Sequence, residues 1–158
     1  RRAQINSLLA AIALSTAAGF FFLTTEFAEP EVATELSASD TLDFSSEVPW
    51  QPFSDDNIAA LKAENKAIFI DFTADWCLSC KVNEKNVIET ETVRNAMKDQ
   101  GIIPVKADWT RRDDVISRWL KEYGKAGVPF YLFIDAKGNA HPLPEVLTTG
   151  ILLDAFQK

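Results

Sequence analysis

The sequence predicts an α/β sandwich: a central mixed β-sheet flanked by helices. Three observations carry that expectation. Short apolar, β-branched runs recur between segments of helical spacing. One run, 67–73, is apolar almost throughout, as a buried strand is. A Gly-containing turn at 136–139 then folds the chain back as a hairpin. The 158 residues suit one globular domain with a segment left over, and 47% hydrophobic content is enough for a real core. Net charge is −7, and without Arg1 and Arg2 the remaining 14 basic and 23 acidic residues give −9. That balance disfavours nucleic acid, which calls for a basic face.

The leftover segment comes first. The chain begins with Arg1 and not methionine, which marks a processed product or a piece of something longer. Ala3 to Thr25 carry no charge, and 23 helical residues reach about 35 Å against a hydrocarbon core of about 30 Å. Residues 1–25 are therefore expected to form a transmembrane helix. A signal peptide is the rival reading, but Phe20–Leu23 prolong the apolar run past Ala17-Ala18-Gly19 and no clean cleavage site follows. A buried soluble helix would show a polar face, which is hardly present. The positive-inside rule puts Arg1-Arg2 in the cytoplasm and everything after residue 26 outside, in a bacterium the periplasm. Residues 26–47, with seven acidic side chains and no sustained periodicity, read as an acidic linker.

The globular domain is expected over 48–158. Val48–Phe53 is a short strand kept to a sheet edge by Pro49 and Pro52. Ser54 caps a helix running to about Asn65, with Ile58 and Leu61 at helical spacing. Strand 67–73 follows, then one long helix from about Cys77 to Met97. Ile102–Ala107 is the next strand and Arg112–Tyr123 the next helix. Phe130–Asp135 is a strand, 136–139 the turn, and Thr149 the cap of a final helix.

The chemistry is concentrated in Cys77-Leu78-Ser79-Cys80, which holds the only two cysteines of the chain. A dithiol with a two-residue spacer closes into a small disulfide ring and reopens, so it carries two electrons. A helix N-terminus beneath the first sulfur favours thiolate over thiol. Two cysteines alone make no four-ligand zinc site, and His141 is far away in sequence. A structural disulfide across so short a loop would constrain the unfolded chain little. The pair reads as a redox switch at the carboxyl end of a central strand. Cys77, nearer the helix start, is the expected nucleophile, and Cys80 the thiol that resolves the mixed disulfide. Asp71 is a lone acid in an apolar strand. Buried behind the cysteines, it would have a raised pKa and exchange protons with Cys80; at a strand end in solvent it would do neither. Trp76 is expected to cover one side of the motif. Trp109, Trp119 and Tyr131 read as core or partner-surface packing, and His141 as a turn residue.

Asp71, Trp76-Cys77-x-x-Cys80-Lys81 and Gly127-Val128-Pro129 together resemble the thioredoxin-fold proteins. More narrowly, the domain is similar to the C-terminal periplasmic domain of DsbD-type thiol–disulfide interchange proteins. That likeness rests on 71–77, Asn83-Glu84, Ala107–Thr110, 127–131 and Leu143–Thr148. The resemblance implies that Glu84 joins Asp71 in raising the thiol pKa values, against a plain solvated helix carboxylate. It implies that Pro129 is a cis-proline lying against the disulfide, with Val128 and Trp76 contacting substrate. Leu78-Ser79 replaces the Gly-Pro spacer of ordinary thioredoxins. The implied function is a protein-disulfide reductase relaying electrons from a membrane-embedded thiol–disulfide electron-transfer domain to periplasmic disulfide-containing proteins. An independent tethered or secreted thioredoxin-like protein for cytochrome c maturation and a non-catalytic binding module are the competing readings. No cofactor is expected beyond the Cys77–Cys80 disulfide itself, and no metal.

Overall fold

The computed structural model describes residues 42–158. The transmembrane helix expected over 1–25, and the acidic linker up to residue 41, lie outside the described residues. Among the described residues no helix is long and apolar enough to cross a membrane.

The elements run β1 (Gln51–Pro52), α1 (Asp55–Ala63), β2 (Ile68–Thr73), α2 (Leu78–Asn83), a π-helical turn (Glu84–Ile88) and α3 (Glu91–Asp99). They continue β3 (Ile103–Asp108), α4 (Asp114–Glu122), β4 (Phe130–Ile134), β5 (Ala140–Leu143) and α5 (Thr149–Phe156). The strands form one sheet in the order β1-β3-β2-β4-β5. The β1–β3 and β2–β3 pairs are parallel, whereas β2–β4 and β4–β5 are antiparallel. This is the expected mixed sheet, with the proline-containing β1 on its edge, where a missing donor does little harm.

Side chains of β2 alternate between two apolar layers. Ile68, Ile70 and Phe72 pack with Ile58 and Leu61 of α1 and Ile116 and Leu120 of α4. Phe69 points the other way, among Val87, Ile88, Met97, Tyr131 and Phe156. Asp71, two residues on, shares the face of Phe69 and therefore lies beneath α2. Helices on both sides of β2 are why its sequence is apolar at nearly every position.

Three boundaries differ from the sequence expectation. The single helix expected from Cys77 to Met97 is two helices with a π-turn between them. Thr90 leaves the helical region at ψ 146°. Its hydroxyl donates to the Val87 carbonyl at 2.7 Å, a local bond that competes with helix continuation. The Glu89 carboxylate meanwhile accepts from Val48 N–H at 2.9 Å and Trp50 Nε1 at 3.0 Å, so the kink clamps the N-terminal segment. The helix expected from Arg112 starts at Asp114, because Asp113 Oδ1 accepts from Val115 and Ile116 N–H. The last helix is capped by Thr148, not Thr149; its Oγ1 accepts from Ile151 N–H at 3.2 Å.

The 136–139 turn forms as expected, with Gly138 at φ +84°. Asp135 Oδ1 accepts from the Lys137 and Asn139 N–H groups at 2.9 and 2.8 Å. His141 belongs to β5 and not to the turn. Its ring stacks on Phe133 with centroids 6.1 Å apart, and Nε2 lies 3.4 Å from Asp135 Oδ2.

Residues 42–47 carry an anchor that the acidic composition hides. Phe44 is buried in the Phe69 layer beside Val48, and Leu42 packs against it. Phe44→Ala is expected to destabilise the domain by about 3 kcal/mol in urea unfolding. A loss below about 0.5 kcal/mol would show that this segment lies outside the cooperative unit.

Candidate active site

The chain leaves β2 at Thr73 and reaches Cys77 through a tight turn closed by a Cys77 N–H to Ala74 carbonyl bond of 3.0 Å. Cys77 occupies the N-cap of α2, and its Sγ accepts from Cys80 N–H at 3.2 Å. The two cysteines form a disulfide, with Cα atoms 5.3 Å apart. Cys77 is the more exposed sulfur residue, at 5% against 1% for Cys80. Val128 packs against Ala74, Cys77 and Cys80, and the Val128–Pro129 peptide is cis. Two loops therefore converge on one disulfide.

Asp71 lies beneath this pair and is 1% exposed. Its Oδ1 has no hydrogen-bond partner within the protein. Burial pushes its carboxyl up from 3.8 to about 7; Lys106 opposes the rise and Glu84 adds to it. Lys106 stands opposite Asp71 in the β2–β3 register. Its ammonium is ion-paired with Glu84 and lies 4.6 Å from the Trp50 ring centroid. Glu84 also reaches Lys81 at 3.8 Å, and its side chain is 17% exposed. It is thus a mostly buried, doubly paired carboxylate, unlike the solvated alternative. Tyr131 faces Asp71 from β4. Burial, reinforced by the Asp71 charge, raises its hydroxyl pKa above the ordinary value, while Asn83 Nδ2 donates to its oxygen at 2.9 Å.

Above the disulfide lies a groove of about 630 Å³ walled by Trp76, Leu78, Val82, Val128 and Val146 around Cys77. Trp76, Leu78, Val82 and Val146 are 55%, 79%, 50% and 75% exposed, and they are the exposed large hydrophobic side chains of the described residues. An apolar surface gathered at one place marks an interaction site. The Trp76 indole is held by a 3.1 Å bond from Nε1 to the Thr110 carbonyl and by Trp109, 6.1 Å away between centroids.

All seven sequence-predicted residues, Asp71, Trp76, Cys77, Cys80, Glu84, Val128 and Pro129, fall at this one end of the sheet. Lys106, Asn83 and the groove residues Leu78, Val82 and Val146 escaped notice as site residues. Lys106 had a readable signal: it is the one charge within the apolar strand 102–107. Among the described residues no cluster of His, Cys, Asp or Glu is arranged to hold a metal ion.

A family profile described as thioredoxin-like matches residues 49–136. The thiol:disulfide interchange protein DsbD of Vibrio cholerae is 32% identical over 97 residues, which are 61% of this chain and 16% of that protein. The protein of the same name from Yersinia enterocolitica is 35% identical over 88 residues, 56% of this chain and 15% of that one. The chain thus spans a small part of the curated relatives it matches. The crystal structure of the oxidised C-terminal domain of Neisseria meningitidis DsbD superposes with a TM-score of 0.53 at 25% identity. That likeness covers 68% of this chain and 97% of the other.

Titration of Asp71 gives stability a pH dependence of definite sign. In the fold its carboxyl keeps its proton up to about pH 7, whereas the unfolded chain loses it near 3.8. Between those values the folded state binds more protons, so stability falls as pH rises through that window. Asp71→Asn removes the loss. The oxidised variant is expected to match the unsubstituted protein near pH 4 and exceed it by about 2–4 kcal/mol at pH 8 in urea unfolding. Equal pH slopes for both proteins would overturn the assignment.

Proposed function

The chain belongs to the thioredoxin-like family, and from that premise we propose that it is the electron-delivering domain of a DsbD-type thiol–disulfide interchange protein. The observation that carries this reading is a Cys77–Cys80 disulfide flooring an exposed apolar groove, with a buried near-neutral carboxyl behind it. In the reduced domain, the Cys77 thiolate attacks one sulfur of a partner disulfide. That S–S bond breaks, a mixed disulfide forms, and the partner's other cysteine leaves as a thiolate. Cys80 then gives its proton to the Asp71 carboxylate and attacks the Cys77 sulfur, which breaks the mixed disulfide and expels the partner's first cysteine as a second thiolate. The two partner thiolates take up protons from Asp71 and from water, so the partner departs as a dithiol with two electrons gained and the domain is left oxidised. Exchange with a membrane-embedded dithiol reverses these steps and recharges it.

Each remaining residue has a part in this scheme. The Cys80 N–H, already bonded to Cys77 Sγ, stabilises the attacking thiolate. Glu84, held by Lys106 and Lys81, keeps negative charge near Asp71 and so raises its proton affinity, which makes the Asp71 carboxylate a stronger base toward Cys80. Pro129 and Val128 offer backbone and apolar contact to the partner strand, and Trp76 closes one side. Residues 1–25 anchor the domain in the inner membrane, the acidic segment up to residue 41 tethers it, and 42–158, with Phe44 packed in the core, work in the periplasm on disulfide-containing proteins.

The test is the equilibrium reduction potential of the Cys77–Cys80 couple in glutathione or dithiothreitol buffers. A value of about −200 to −270 mV is expected, in the range of glutaredoxins and thioredoxin. A value near about −120 mV, that of a strong oxidant, would overturn the reductase reading. Cys80→Ser is expected to trap a mixed disulfide through Cys77, and Cys77→Ser to form none.

A further inference from the structure

Asn83 ends α2 and is 6% exposed, yet its side chain makes three hydrogen bonds to two other parts of the chain. Nδ2 donates to Tyr131 Oη at 2.9 Å and to the Glu145 carbonyl at 2.7 Å. Oδ1 accepts from Leu147 N–H at 3.3 Å. The last two bonds bracket Val146. Among the described residues they are the only hydrogen bonds to the backbone of 144–147, the strap between β5 and the cap of α5. Leu147 is turned into the core at 4% exposure, whereas Val146 is turned out at 75% and forms the groove wall across from Leu78 and Val82. One amide on the dithiol helix therefore fixes where that wall stands.

We propose that Asn83 is a positioning residue that holds Val146 against the groove, and that this wall makes the domain prefer partner segments with a bulky apolar side chain beside the reacting cysteine. The proposal rests on the reading that Cys77 exchanges with a partner disulfide. The occupant follows from the groove itself. Its floor is a sulfur, so what enters must present a cysteine; its walls are apolar, so the neighbouring side chain gains most by being apolar. A merely structural Asn83, satisfying the Tyr131 hydroxyl, would affect stability and leave partner preference untouched.

The experiment uses the full chain in detergent micelles, reduced beforehand and mixed with excess peptide in single-turnover measurements. Two synthetic peptides each carry one intramolecular disulfide, with leucine or serine beside the attacked cysteine. The unsubstituted protein is expected to favour the leucine peptide about tenfold, through the half-saturating concentration and not the limiting rate. Asn83→Ala and Val146→Ser are each expected to cut that preference to about twofold or less. Val146 is exposed, so its substitution reports on the wall even if the Asn83 variant fails to fold. A preference retained in Val146→Ser, an equal slowing toward both peptides, or no preference in the unsubstituted protein would overturn the inference. Failure of the unsubstituted protein to reduce either peptide would overturn the oxidoreductase reading beneath it.

Discussion

Strand β2 lies in the middle of the sheet with helices over both faces, so each of its six side chains is removed from water. For four of them this is the ordinary consequence of an Ile or Phe at a buried position, and the fifth, Thr73, is buried with no hydrogen-bond partner for its hydroxyl. The sixth is Asp71, and its burial opposes ionisation with nothing in hydrogen-bond reach of Oδ1. The same strand delivers the chain to Cys77 at its carboxyl end, beneath which α2 begins. Redox group and buried acid are thus placed by one element, on one face, through the alternation of a β-strand.

Around that acid the charges are arranged in depth. Lys106 comes from β3 in register with Asp71, and Glu84 comes from the π-turn to meet Lys106. The cation and the anion act on the Asp71 proton in opposite directions, and desolvation is the dominant influence on it. The π-turn matters here. It places Glu84 over the sheet and then, through Glu89, fastens Val48 and Trp50 to the same helical layer. Trp50 in turn lies against the Lys106 ammonium. The N-terminal segment is therefore tied to the electrostatics beside the dithiol, although it stands far from Cys77 in sequence.

Much of this was legible in the residues. Ser54, the 67–73 run and the 136–139 turn carry local signals strong enough to place α1, β2 and the β4–β5 hairpin within a residue or so. Cys77, Cys80 and Asp71 stood out because each is chemically unlike its neighbours. What stayed hidden depends on distant partners. The break after Ile88 needs Thr90 to bond the Val87 carbonyl and Glu89 to meet Val48 and Trp50; the helical periodicity of 77–97 carries no trace of either. Phe44 is masked by the acidic residues around it. Asn83 looks like any polar residue within the helix expected over 77–97, and Val146 like any loop residue, until the fold brings 83 and 145–147 together.

The disulfide is itself part of the surface a partner would touch, since Cys77 floors the groove. Thermodynamic reciprocity then binds recognition to electron affinity. A partner that holds one oxidation state of the domain more tightly than the other must, while bound, shift the couple by the same factor. For a two-electron pair, a tenfold preference corresponds to about 30 mV. On the proposed function, the driving force for each transfer would be a property of the docked complex, and partners that differ in this preference would draw electrons from the same two sulfurs at different potentials.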